Sequence, residues 1–188
     1  MASDKNQNVK AGDLYFEPYL DHEVILDRVS QMGASISKDF RDKDPIFIVV
    51  LNGAFIFAAD LLREVDFHCE TTFVKLKSYD GLASTGNLET LLGLESNIEN
   101  RDVVVIEDII DTGNTLHHFM SELSQLKPSS ISLVSLLFKE VAFNYDYPID
   151  YIGFTIPDRF VIGYGLDYND LGRNLKSIYQ LKSEEAGE

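Results

Sequence analysis

Residues 103–116 read VVVIEDIIDTGNTL and change character twice. Val103 to Ile106 form a continuous apolar run, the mark of a strand covered on both faces. From Asn114 the pattern is helical and runs to about Leu126, where Lys127 and Pro128 stop it. A buried strand that feeds a helix through a short turn is half of a strand–helix–strand crossover, so the stretch argues for a parallel sheet. It also sets Glu107, Asp108 and Asp111 on the rim of the core, followed at once by Thr112, Gly113, Asn114 and Thr115.

The same alternation continues outward from it. His22 to Phe40 carries Val24, Ile25, Val29, Met32, Ile36 and Phe40 at helical spacing. After Pro45, IFIVVL reads as another fully apolar strand, ended by Asn52 and Gly53 and followed by the helix AFIFAADLLREV. ETTFVKLKSY alternates as a strand, DGLASTGN reads as a loop and LETLLGL as the returning strand; SISLVSLLF and YIGFTI supply two more. The predicted fold class is α/β, an open and mostly parallel sheet with helices on both faces. With 188 residues, 45% of them hydrophobic, the chain can bury one sizeable core. A single domain over residues 1–188 is expected, frayed to about residue 10 and with an acidic tail over about residues 183–188.

Acidic residues outnumber basic ones 31 to 16, a net charge of -15, which repels phosphate backbones and anionic membrane surfaces. No nucleic acid and no membrane partner is expected. An anionic substrate would need a cation or a local basic cluster to reverse the potential at its site. Cys69 stands alone, so no intrachain disulfide can form and a reducing compartment fits. His22, His68, His117 and His118 lack metal-ligand spacing; side chains at adjacent 117 and 118 diverge by about 100° on a helix. The N-terminus has no apolar leader pattern and no run approaches the roughly 18 apolar residues of a membrane span. A cytoplasmic location is expected.

Ligands of such sheets sit beyond the carboxyl ends of the strands. There the chain places Leu51, Asn52 and Gly53, then Glu107 to Thr115, then Lys139, then Asp158, Arg159 and Phe160. Gly113 lets a ligand approach the backbone closely, and the first N–H groups of the following helix are unpaired at the positive end of its dipole. Thr112 and Thr115 add hydroxyls, which together make a cradle for one phosphate monoester. It lacks the lysine and spacing of a nucleoside triphosphatase loop. The carboxylates of Glu107 and Asp108 can accept hydrogen bonds from a vicinal diol, as acidic residues do for ribose in dinucleotide sites. A ribose 5-phosphate satisfies both halves, with Asp111 facing whatever the sugar carries. The bland alternative is a set of solvated carboxylates with Asp111 as a helix cap.

VVVIEDIIDTGNT resembles the phosphoribosyl pyrophosphate (PRPP) signature of type I phosphoribosyltransferases. LNGAFIFAADLL, VKLKSY, LLFK, DYIGFTIPDRFVIGYGLDYND and the arginine of LGRNL, in that order, are similar to the hypoxanthine-guanine branch. The resemblance runs from about Phe47 to Tyr179. It implies the type I phosphoribosyltransferase fold with a small hood and a mobile lid, and transfer of 5-phosphoribosyl from PRPP to hypoxanthine or guanine, giving IMP or GMP and pyrophosphate. It implies the 5-phosphate on Asp111, Thr112, Gly113, Asn114 and Thr115, the ribose hydroxyls on Glu107 and Asp108, and Asp111 as the base at purine N7. Lys139 then meets the 6-oxo group, Phe160 stacks on the purine and the Val161 backbone reads its edge. Leu51, Asn52 and Gly53 form a pyrophosphate turn containing a cis peptide, Arg173 faces pyrophosphate, and Ser78 and Tyr79 tip the lid. Mg2+ is the implied cofactor, with Glu107, Asp108 and Asp167 as its carboxylates, and a homodimer or homotetramer the implied assembly.

Two positions depart from the pattern. Asn52 and Asn114 stand where lysines are common, and each removes a positive charge from an anion site. Three other readings remain. A xanthine-preferring transferase would share the fold; Lys139 favours 6-oxo over 6-amino purines, because an ammonium only donates. A PRPP-sensing regulator would keep the phosphate site without turnover. The DTG of Asp111 to Gly113 also occurs in aspartic proteases, but those pair two such aspartates on a β-rich scaffold, whereas here one leads into a helix.

Overall fold

A computed structural model of the protein describes residues 7–76, 90–92, 94 and 96–182. Its elements in chain order are β1 (Val9–Ala11), β2 (Leu14–Leu20), α1 (His22–Phe40), β3 (Ile46–Leu51), α2 (Phe55–Glu64), β4 (Glu70–Leu76), β5 (Thr90–Leu92), β6 (Asp102–Ile110), α3 (Asn114–Gln125), β7 (Ser130–Phe138), β8 (Tyr151–Thr155), β9 (Val161–Ile162) and β10 (Ile178–Leu181). A six-stranded sheet runs in the order β5-β4-β3-β6-β7-β8. From β4 to β8 all neighbours are parallel, and β5 returns antiparallel along β4.

The apolar runs became central strands because both of their faces are covered. In β3, Phe47 and Val49 join Ile25, Val29 and Ile36 of α1 and Phe57 and Leu61 of α2. Ile46, Ile48 and Val50 point the other way and meet Leu116, Phe119 and Leu123 of α3. Alternation along a strand thus supplies two cores, one on each side of the sheet. Each fully buried side chain of this size contributes roughly 1.5–3 kcal/mol. The helix bounds also have local causes. Gly113 precedes α3 at φ 79 as its N-cap, and its carbonyl accepts from His117 N at 2.8 Å. Lys127 turns left-handed at φ 56 just before Pro128, which closes the helix.

β3 crosses through α2 to β4 on one side, whereas β6 crosses through α3 to β7 on the other, and β3 and β6 are neighbours. Their carboxyl ends therefore lie where the strand order reverses, the position at which open α/β sheets form a crevice.

A second, antiparallel sheet runs β1-β2-β10-β9 around Ala11, Phe16, Ile162 and Tyr179. It is the small hood that the resemblance implied, and it corrects one detail of the sequence reading. Val9 and Lys10, expected to be frayed, pair with Phe16 and Tyr15. β1, β9 and β10 have three, two and four residues, and β2 is interrupted by Pro18, so none carries a periodic signal. A second correction concerns β6, which runs two residues past RDVVVIED to Ile110. Glu107 and Asp108 therefore lie short of the strand's end rather than at it, and Glu107 pairs in register with Ser135. The DGLASTGN loop, Ser78 and Tyr79 lie outside the described residues.

Candidate active site

Three loops converge on the end of β6. The turn after β3 has a cis peptide between Leu51 and Asn52, as the resemblance implied. Next to it, Gly53 faces the acidic pair so closely that a Cβ there would lie 1.7 Å from Asp108 Oδ2. The segment between β9 and β10 closes over the same turn, for a Cβ on Gly165, at φ 105, would lie 2.1 Å from the Gly53 carbonyl oxygen. The approach at Gly165, backbone against backbone at a positive φ, admits only glycine, whereas a side chain at Gly53 would have to displace the Asp108 carboxylate. Gly165 also exchanges bonds with Arg173: its N–H donates to the Arg173 carbonyl at 3.0 Å, and its own carbonyl accepts from Arg173 Nη1 at 2.9 Å.

Arg173 also pairs with Asp167, whose Oδ1 is 2.6 Å from Nη2, while Asp167 Oδ2 accepts from the Asp170 N–H at 2.8 Å. Asn52, Gly53, Asp108, Asp167 and Arg173 thus form one connected group. Expected for pyrophosphate and metal, they arrive from three separate parts of the chain.

Glu107 and Asp108 share a poorly hydrated place. Burial, and then the neighbouring Asp108 charge, push the Glu107 carboxyl well above the usual range. Burial lifts Asp108 to about 6, against the opposing pull of the Ile109 N–H, which donates to its Oδ1 at 2.9 Å, and of the Arg173 charge. Two adjacent desolvated carboxylates favour whatever brings donors or positive charge to them. A diol, a cation or an electron-poor sugar ring does so.

Lys139, at the end of β7, is only 6% exposed. Its Nζ donates to Asp111 Oδ2 at 2.7 Å and to Asp158 Oδ1 at 3.0 Å. Burial alone would pull the ammonium down, but the hydrogen bonds and charges of the two aspartates outweigh it and hold the lysine above its ordinary value. Lys139 and Asp111, 28 positions apart in the chain, are thus brought into direct contact. Asp158 was visible only as a strand-end residue; no pattern showed that it would be the lysine's second partner.

Thr112 to Thr115 wrap the start of α3. The Asn114 N–H approaches Thr112 Oγ1 at 3.5 Å. The cap position belongs to Gly113, with no side-chain cap, so Asp111 is not the helix cap and its carboxylate is turned to Lys139. Phe160, two residues after Asp158, leaves its ring 45% exposed while Val161 beside it is buried in β9. Phe16 and Tyr168 flank that ring at centroid distances of 6.3 Å and 5.9 Å. An exposed aromatic held by two others offers a stacking face. His117, denied a metal role by spacing, stacks on Tyr145 at 4.1 Å.

Among the described residues no three His, Cys, Asp or Glu side chains gather as a metal cage. Glu107, Asp108 and Asp167 therefore do not close around an ion as a cage of their own. No described helix is long and apolar enough to cross a membrane.

The family model described as the phosphoribosyl transferase domain matches residues 17–169. A hypoxanthine-guanine-xanthine phosphoribosyltransferase of Tritrichomonas foetus is 42% identical over 163 residues, covering 86% of this chain and 89% of the relative. A hypoxanthine-guanine phosphoribosyltransferase of Staphylococcus epidermidis is 40% identical over 166 residues, covering 88% and 93%. Among solved structures, a hypoxanthine phosphoribosyltransferase of Staphylococcus aureus superposes with a TM-score of 0.84 at 39% identity, covering 92% of this chain and 94% of that one.

Proposed function

The chain belongs to the phosphoribosyltransferase family, and from that premise we propose how its residues divide the reaction. It is a purine-salvage pentosyltransferase that moves 5-phosphoribosyl from PRPP to hypoxanthine or guanine and releases pyrophosphate. The observation that carries the assignment of roles is the Asp111–Lys139–Asp158 cluster, which joins the phosphate loop to the base side of the crevice.

The 5-phosphate enters the cradle of Thr112 to Thr115, where free N–H groups at the start of α3 and the helix dipole replace the missing lysine. The ribose 2- and 3-hydroxyls donate to Glu107 and Asp108. Pyrophosphate lies against the Leu51–Gly53 turn and Arg173. The purine stacks on Phe160, with the Val161 backbone at its edge and Lys139 donating to the 6-oxo group. As the bond from C1 to pyrophosphate breaks, positive charge builds on the sugar ring and negative charge on the leaving group. The acidic pair faces the first, and Arg173 faces the second. Asp111 takes the proton that the purine must lose, and Asp158 keeps Lys139 charged while Asp111 turns to the base.

Mg2+ fits the donor set. The carboxylates of Glu107, Asp108 and Asp167 are hard oxygen ligands, and with no protein cage among the described residues most of its shell is left to substrate oxygens and water, as that ion prefers. When bound it supplies neutralisation of the pyrophosphate charge, which also answers the net charge of -15. The enzyme works in the cytoplasm as a homodimer or homotetramer, which light scattering on the purified protein will read.

The test is transfer from PRPP with Mg2+ to each of hypoxanthine, guanine, xanthine and adenine. Nucleotide from hypoxanthine or guanine, and none from adenine, is the expected outcome. Xanthine taken in preference to both would replace this reading with the xanthine-preferring one, and PRPP binding without product from any base would leave a sensor.

A further inference from the structure

Asn114 lacks the positive charge often found at its place, and the structure shows what stands beside it instead. The chain after Lys139 folds back over the phosphate loop. The Asn144 N–H donates to the Thr112 carbonyl at 3.2 Å. A Cβ on Gly113 would lie 2.5 Å from the Phe143 ring and 3.1 Å from the Tyr145 ring. The Tyr145 hydroxyl donates to Asn114 Oδ1 at 3.0 Å. The Tyr145 ring is fixed from both sides, stacked on His117 at 4.1 Å and edge-on to Phe143 at 6.0 Å.

An asparagine amide has two unlike ends. Its oxygen repels a phosphate oxygen, and its NH2 group donates to one. With the oxygen held by Tyr145, the NH2 is the end left at the first position of α3, where no described residue accepts from it. We propose that Tyr145 is a positioning residue for the 5-phosphate: it fixes the flip of the Asn114 amide so that a neutral donor does the work of the absent lysine. The inference rests on the proposed phosphate site and adds to it a residue 31 positions away, which no motif contains.

Tyr145→Phe removes the hydroxyl and keeps the ring and its stacking. The variant is expected to raise KM for PRPP roughly 3- to 10-fold, the usual worth of one hydrogen bond, with kcat and the purine KM unchanged. It should weaken ribose 5-phosphate binding, measured by calorimetry, by the same factor. The effect must run through Asn114, so it should disappear in an Asn114→Ala background and be overridden in an Asn114→Lys background. An unchanged KM for PRPP, or an equal loss in the Asn114→Ala background, overturns the proposal. Ribose 5-phosphate binding separates the two layers. A protein that makes no nucleotide yet loses this affinity in Tyr145→Phe supports the positioning role and removes the proposed reaction. A wild-type protein that does not bind ribose 5-phosphate removes both.

Discussion

Replacing Asp108 with asparagine should make the free protein more stable, and only above a defined pH. Burial raises this carboxyl from its ordinary 3.8 to about 6, so the folded chain resists its ionisation. The unfolded chain ionises it near 3.8, so between about pH 4 and pH 6 the folded state binds more protons and stability falls as pH rises. Above that window the full penalty applies. A difference of roughly 2 on the pH scale, at 1.36 kcal/mol each, is about 3 kcal/mol. Asparagine has nearly the same shape, retains an oxygen for the Ile109 N–H, and cannot ionise. For a chain of this length the gain corresponds to a rise in Tm of roughly 6–12 °C. It should be present at pH 8, shrink to about 1 kcal/mol at pH 4.5, and vanish below the unfolded pKa. Differential scanning calorimetry of both proteins across that range measures it. No gain at pH 8, or an equal gain at pH 4.5, would refute the claim that the acidic pair is held at an electrostatic cost. The same substitution should raise KM for PRPP, because it removes a charged acceptor from the diol.

The raised carboxyls of Glu107 and Asp108 give a related pH effect on function. PRPP and its cation favour the ionised pair, so binding should release protons and KM for PRPP should rise as pH falls through about 6; calorimetry in two buffers of different ionisation enthalpy counts the protons. Lys139→Met should lower kcat/KM for hypoxanthine roughly 10- to 100-fold, the worth of a charge-assisted hydrogen bond, while leaving PRPP affinity nearly intact, as steady-state kinetics will show. Gly53→Ala must drive a methyl group into Asp108 Oδ2. It should cost about 1–3 kcal/mol in denaturant unfolding and also raise KM for PRPP.

The parallel sheet was legible because its signal is local. IFIVVL and VVVIED declare strands buried on both faces, and Pro128 and Gly113 bound the helix between β6 and β7. The turn proposed to hold phosphate was legible as a turn for the same reason, since its residues are consecutive. The hood was legible only through the family resemblance, because Val9–Ala11 and Val161–Ile162 are too short for periodicity and owe their pairing to β10 and β2. Contacts that depend on tertiary approach were equally hidden. The motifs named Asp111 and Lys139, but neither the clamp by Asp158 nor the seating of Gly165 against Gly53 could be read from spacing. The family resemblance supplied the cis peptide after β3, which composition and periodicity do not encode.

The division of labour around Asp111 meets its most direct test in one stoichiometric measurement. Purified enzyme is given PRPP, Mg2+ and hypoxanthine, and IMP and pyrophosphate are followed together in the wild type and in Asp111→Asn. The expected result is one pyrophosphate for each IMP in the wild type, and a kcat lower by roughly 100-fold or more in the variant with PRPP affinity little changed. Pyrophosphate without IMP, or a variant that turns over as fast as the wild type, would contradict it.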